Sequence, residues 1–385
     1  MLSISELKLA KELISFPSVT PRDAGAINFL SKKLKLLGFK CKILEFKDKK
    51  SKPIKNLYAR LGTKQPNLCY AGHTDVVPPG NIKDWTVNPF KPFVKKNYLI
   101  GRGANDMKSS IACFVTAVDK FLKTKPKFNG SISFLITGDE EGYAINGTKK
   151  VVEYLKRKKE KINFCIVGEP TNPNKLGEMI KIGRRGSLTG KIEISGIQGH
   201  VAYPHLLNNP ISTLIEVCQK LKGKKLDKGN KNFQPSNLEF TSIDVDNKAH
   251  NVIPSKAKAR FNIRYNNFHT ANTLKKKINL MVKNLCVKNK CKFKIDYLTN
   301  GDSFLTKPNK TIYMAKKIIK KITKINPKFS TTGGTSDARF IKKISPCLEF
   351  GLVNKTMHKV DECVSIKDLR NLTKIYYNIL VEYYK

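Results

Sequence analysis
The run KSSIACFVTAVDKFLKTKPKFNGSISFLITG, residues 108–138, joins a helix signal to a strand signal. Its first part, KSSIACFVTAVDKFL, reads as a helix with Ile111, Val115 and Val118 on one stripe. Its last part, SISFLITG, is a short β-rich run ending in glycine. Working outward, NLCYAG (67–72) and NFCIVGE (163–169) are runs of the same kind, ending in glycine or charge. Short apolar strands alternating with helical patterns predict an α/β fold, with a mixed, mostly parallel sheet flanked by helices. In such sheets ligands sit beyond the carboxyl ends of the strands. His73, Glu140 and Glu169 all fall at those ends.

Residues 186 to 298 follow a different pattern. SLTGKIEISGI alternates as a strand, and NPISTLIEVCQKLK reads as a helix with Ile211, Leu214, Ile215, Cys218 and Leu221 on one face. NLEFTSIDV and KAKARFNIRYN are strands. TANTLKKKINLMVKNLC aligns Leu274, Ile278, Met281 and Leu285 on a second helix, and KFKIDYL is a last strand. The order β-α-β-β-α-β predicts an inserted α+β, ferredoxin-like domain. Helix and strand signals then resume from about residue 300 to the end and complete the α/β domain.

The 385 residues suit two domains, and 40% hydrophobic residues supply sizeable cores. No run of 18 apolar residues occurs, so no membrane helix is expected. The start, MLSISELKLAKELISF, reads as an amphipathic helix with Ser3 and Glu6 as a capping box rather than as a secretory leader. Nine cysteines without a CxxC suit reduced thiols, and Cys286 with Cys291 lacks a second pair to complete a zinc site. A cytoplasmic protein is expected. The net charge of +43 raises nucleic acid or an anionic membrane as a partner. Only ten of the 73 basic residues are arginine, however, and the lysines are scattered along helical faces. They read as solvated surface, so neither partner is expected; the field they create attracts an anionic substrate.

Ligand-type side chains gather in short segments: His73 and Asp75 in AGHTDVV, Asp106 in GRGANDMK, Glu140 and Glu141 in TGDEEG, Glu169 in VGEPT, and His358 in NKTMHKVDE. Each alone reads more readily as a loop or surface residue. Together, carboxylates converging beyond one sheet edge repel unless a cation neutralises them. Imidazole with carboxylate and no thiolate suits Zn²⁺ or a similar divalent ion. Two histidines and three or four carboxylates suit two metals about 3.5 Å apart, with one carboxylate bridging. Neighbouring Glu140 and Glu141 both reach such a site only if the backbone turns at DEEG, which Gly142 is expected to permit.

These segments, with GRRGSLTG, GIQGHVAYPH, NVIP and TTGGTSDARF, run along nearly the whole chain, which resembles the dizinc aminoacylase/carboxypeptidase family. The resemblance implies a zinc-peptidase-like catalytic domain over 1–185 and 299–385, and a dimerisation or lid domain over 186–298. It implies two Zn²⁺ per subunit, with Co²⁺ able to substitute. Asp106 would bridge them, His73 and Glu169 would complete one site, and Glu141 and His358 the other. Asp75 would hydrogen-bond the far nitrogen of His73, Glu140 would be the general base, and a cis peptide would follow Asp106. His200 would donate to the oxyanion across a homodimer, while His205, His250 and His269 read as structural or surface residues. The implied substrate is a small anionic N-acyl amino acid. Arg184, Ser187, Tyr203, Asn251, Arg264, Gly334, Thr335 and Asn354 would line its pocket, the arginines as carboxylate forks. GRRGS and TTGGTSDARF favour an N-succinyl over an N-acetyl substrate by the same resemblance.

Overall fold
The computed structural model describes residues 4–48 and 52–385. Ser3 lies outside the described residues. The helix Glu6–Ile14 starts after Ser5, whose side chain makes no capping hydrogen bond. The chain packs as two units. The first comprises Met1–Ile182, Thr306–Ser330 and Ser336–Lys385; the second comprises Gly183–Leu305 and Thr331–Thr335.

The first unit is built on an eight-stranded mixed sheet. At its centre Asn67–His73 lies parallel to Ser131–Thr137 on one side and to Phe164–Val167 on the other. Cys347–Glu349 continues parallel beyond Phe164–Val167. Lys40–Phe46 and Ile54–Leu61 add an antiparallel hairpin beside Ser131–Thr137. At the far edge Met179–Lys181 runs antiparallel to Cys347–Glu349, with Lys328–Ser330 parallel to it. Every residue of Asn67–His73 and Ser131–Thr137 is buried, which explains their unbroken apolar runs: helices cover both faces.

The helix Lys108–Thr124 packs against Glu6–Ile14 and Ile366–Tyr383. Ile111, Val115 and Val118 are buried as expected, but so is everything from Lys108 to Asp119, because neighbours surround this helix. Phe114 stacks on Tyr70 at 4.4 Å and meets Phe134 and Tyr376 edge-on, each at 5.3 Å. Full burial of each such ring contributes on the order of 2–3 kcal/mol. The two buried phenols are also satisfied: Tyr70 donates to Ser110 Oγ at 2.9 Å and Tyr376 to the Phe350 carbonyl at 2.7 Å.

The second unit holds a four-stranded antiparallel sheet in the spatial order Asn237–Asp244, Lys256–Tyr265, Gly186–Ser195, Lys292–Thr299. The helices Pro210–Gly223 and Ala271–Lys288 pack on one face, giving the ferredoxin-like arrangement. Strand alternation sends Leu188, Ile192 and Ile194, with Ala257, Ala259, Phe261 and Ile263, toward the helices. The helix stripes differ from the expected ones. Ile215 is 52% exposed and Val217 is buried in its stead, while Val282 and Cys286 are buried where Met281 and Leu285 only flank the core. Apolar side chains lie on both sides of each stripe, so spacing alone does not say which edge meets the sheet.

Candidate active site
Three parallel strands deliver the first groups to one edge of the sheet. His73 is the last residue of Asn67–His73, Glu169 follows Phe164–Val167 by two residues, and Glu140 and Glu141 follow Ser131–Thr137. Asp106 arrives on the loop before the helix Lys108–Thr124, and the Asp106–Met107 peptide is cis, as the resemblance implies. His358 comes from a loop near the C-terminal helix, with φ +62°.

These groups meet. His73 Nε2 lies 3.1 Å from Asp106 Oδ1 and 3.8 Å from Glu169 Oε1. His358 Nε2 lies 2.9 Å from Glu141 Oε1 and 3.4 Å from Asp106 Oδ2. Asp106 therefore turns one oxygen to each histidine. Donor atoms of His73, Asp106 and Glu141 lie within 4.8 Å of one another, and so do those of His73, Glu140 and Glu169.

Asp75 departs from its expected contact. The carbonyl of Asp75, not its carboxylate, faces His73 Nδ1 at 2.9 Å; the carboxylate stands 3.7 Å away. That carboxylate instead accepts the backbone N–H groups of Glu140 at 3.2 Å and Glu141 at 2.9 Å. This pins the turn that lets neighbouring glutamates share the site. Gly142 also has a different reason from the one expected. It needs no left-handed backbone; a Cβ there would lie 2.7 Å from Thr20 Oγ1 and 2.8 Å from Asp139 Oδ1.

The electrostatics reflect crowded charge. Burial works against the charge of His73, but Asp106, Glu169 and Asp75 outweigh it and hold the imidazole well above its usual pKa. Hydrogen bonds to Asp106 and Glu141 push His358 up to about 10. Burial likewise opposes the Asp106 anion, yet His358 and His73 hold it well below the carboxylate range. Desolvation, reinforced by Glu169, drives Glu140 well above that range, and burial raises Asp75 to about 7. Imidazole nitrogens and carboxylate oxygens at this spacing fit divalent metal ions that take N and O donors.

The remaining predicted residues fall in smaller groups. Arg184 is buried and donates to the carbonyls of Thr332 at 3.3 Å and Gly334 at 3.2 Å, with Thr335 next in the chain. Ser187 pairs directly across from Arg264 in the second unit's sheet. His200 sits in a two-stranded ribbon with Val252, next to Asn251, and its Nδ1 accepts the Ala202 N–H at 3.1 Å. Tyr203 packs 5.8 Å from the His200 ring and is 55% exposed. Asn354, in the first unit, opens a short 3-10 turn and is half-buried. Of the histidines set aside, His269 is buried against Asp227 at 3.1 Å, a structural role.

Sequence reasoning missed Arg102 and Glu362. Both lie inside segments that supply ligands, GRGANDMK and NKTMHKVDE, and Glu362 accepts the Asp106 N–H at 2.9 Å. An Arg and a Glu in such segments are the only signal, and their pairing is invisible before folding.

Comparisons with known proteins give the family. The succinyl-diaminopimelate desuccinylase of Pelagibacter ubique is 66% identical over 384 residues, spanning the whole of both chains. An M20 family metallo-carboxypeptidase from Sulfolobus solfataricus shares the fold at TM-score 0.78 and 18% identity, over 98% of each chain. A Bacillus subtilis protein described as a dinuclear metal binding peptidase from the M20 family shares it at TM-score 0.72 and 13% identity, over 98% of this chain and 97% of that one. Among the described residues no helix is long and apolar enough to cross a membrane. Residues 69–382 match the Peptidase family M20/M25/M40. This chain belongs to that family and is a hydrolase.

Proposed function
We propose that this hydrolase cleaves the succinyl amide of N-succinyl-L,L-2,6-diaminopimelate, releasing succinate and L,L-2,6-diaminopimelate, a step of lysine biosynthesis. The carrying observation is the 66% identity, end to end, with a relative of that name. The seven-residue cluster supports the chemistry. His73, Asp106 and Glu169 would hold one Zn²⁺, and Asp106, Glu141 and His358 a second, with Co²⁺ able to take their place. When bound, such a pair of ions acidifies water and polarises an amide carbonyl.

The protein's own groups then do the positioning and the proton transfer. Asp75 fixes the backbone of Glu140 and Glu141. Glu140, raised in pKa and close to the ligand donors, takes a proton from the attacking water. It passes that proton to the amide nitrogen as the C–N bond breaks, so the leaving group departs as an amine. Arg184, Ser187, Tyr203, Asn251, Arg264, Gly334, Thr335 and Asn354 are proposed to receive the substrate, whose three carboxylates suit arginine forks. The first unit is the catalytic domain in this reading. The second serves as lid and as dimerisation domain, with His200 of one protomer donating to the oxyanion in its partner. The enzyme works in the cytoplasm.

The rival is acetylornithine deacetylase or another N-acyl-amino-acid hydrolase, which could use the same ligands and base. Side-by-side hydrolysis of succinyl-diaminopimelate and acetylornithine separates them. Faster turnover of the succinyl substrate is expected; faster acetylornithine turnover overturns the choice of substrate.

A further inference from the structure
One buried ion pair joins the loop carrying Asp106 to the loop carrying His358. Glu362 is 0% exposed and Arg102 2% exposed. Arg102 Nη1 donates to Glu362 Oε2 at 2.7 Å. The same carboxylate accepts the backbone N–H groups of Gly103 at 3.1 Å, Asn105 at 2.7 Å and Asp106 at 2.9 Å. Four donors converge on one anion, so a neutral isostere cannot serve them all. Arg102 also donates to the carbonyls of Lys359 at 3.1 Å and Pro78 at 3.3 Å, and it lies 5.1 Å above the Trp85 ring. Backbone next to His358 is thereby tied to the backbone of Asp106.

The other ligand groups have separate anchors. His73 ends a fully buried strand and is oriented by the Asp75 carbonyl. Glu169 follows a buried strand, and the Asp75 carboxylate holds the backbone of Glu141. His358 sits in a loop that Thr356 closes by donating to the Cys363 carbonyl at 2.8 Å, but its side chain is 42% exposed and its backbone is left-handed. Loosening the clamp therefore frees the Asp106 loop and the His358 loop from one another and opens the approach of His358 to Asp106 Oδ2, while His73 and Glu169 keep their own anchors.

We propose that Arg102 and Glu362 are positioning residues for one half of the metal centre. They bear most on the affinity of the Asp106–Glu141–His358 pocket, two of whose ligand loops they hold, and less on that of the His73–Asp106–Glu169 pocket, which shares only Asp106 with the clamp. The inference rests on the dinuclear reading above. Metal uptake then occurs in two separable steps, the weaker belonging to the clamped pocket.

The test titrates Zn²⁺ into metal-free wild type, Glu362→Gln and Arg102→Lys, following heat and bound metal per chain, with folding checked by circular dichroism. The weaker step is expected to lose about 10–100-fold in affinity in both variants. The tighter step, which shares only Asp106 with the clamp, should weaken at least about fivefold less, and excess Zn²⁺ should restore kcat with KM unchanged. Equal weakening of both steps, no weakening of either, or failure of both variants to fold overturns the proposal; the pair is then general scaffold or idle. Wild type that binds fewer than two ions refutes the dinuclear reading itself. Wild type with two ions and variants that behave like it refute only the clamp.

Discussion

Replacing Asp75 by asparagine tests the claim that this carboxylate places the proposed general base, Glu140, rather than orienting His73. Asp75 is 1% exposed, and its oxygens accept the Glu140 N–H at 3.2 Å and the Glu141 N–H at 2.9 Å. Asparagine is isosteric but keeps one oxygen and turns an NH₂ toward the other N–H. One charge-assisted hydrogen bond, worth about 1.5–3 kcal/mol, is lost. One backbone donor is left facing another donor, at a further cost of about 1–3 kcal/mol. Partial relaxation of the turn leaves on the order of 3–4 kcal/mol. Expressed in the placement of Glu140, that is a fall in kcat of about 10²–10³-fold. Steady-state hydrolysis of succinyl-diaminopimelate at saturating Zn²⁺ reads it out, with metal content measured on the same sample. The His73 pocket should keep its metal, because the Asp75 carbonyl that faces His73 Nδ1 survives the substitution. A folded, metal-loaded Asp75→Asn enzyme with kcat within about threefold of wild type refutes the reasoning.

Glu140→Gln keeps the shape of the proposed base but cannot carry the proton; kcat should fall by about 10²–10⁴-fold while metal analysis finds both ions retained. In the metal-free protein, His358 has its folded pKa raised to about 10, so its stabilising contribution is full below the unfolded value near 6.5 and is lost as pH rises through 10. Asp75 is raised to about 7, which lowers stability as pH climbs from its unfolded value near 3.9 through 7. Thermal melts of metal-free protein should therefore drop steadily between pH 5 and 10, and saturating Zn²⁺ should flatten the curve; a flat metal-free curve contradicts the charge assignment. Phe114→Ala removes a fully buried ring that touches three other aromatic rings, and urea unfolding should show a loss of about 3–5 kcal/mol.

Much of this protein was readable before folding because local patterns carry it. The fully buried strands Asn67–His73 and Ser131–Thr137 announce themselves as unbroken apolar runs, and the second unit's strands announce themselves by alternation. Strand ends fix where ligands gather in a parallel sheet, so His73, Glu140 and Glu169 stood out by position, although only the joint pattern of the segments made them candidates. Helix faces were less legible. Ile215 and Val217 both sit beside the same stripe, and only contact with the strands decides that Val217 is the one buried.

The sequence by itself determined the fold class and a cluster of divalent-metal ligand types, because periodicity and short motifs are local properties of the chain; the hydrolase reading came from the resemblance those motifs carry. Tertiary structure decided who holds whom. The Asp75 carboxylate turned to the Glu140–Glu141 backbone, and Arg102 found Glu362 across 260 residues of chain. Such pairings are set by which buried donors and acceptors remain unsatisfied once the strands are in register, and no spacing rule encodes that.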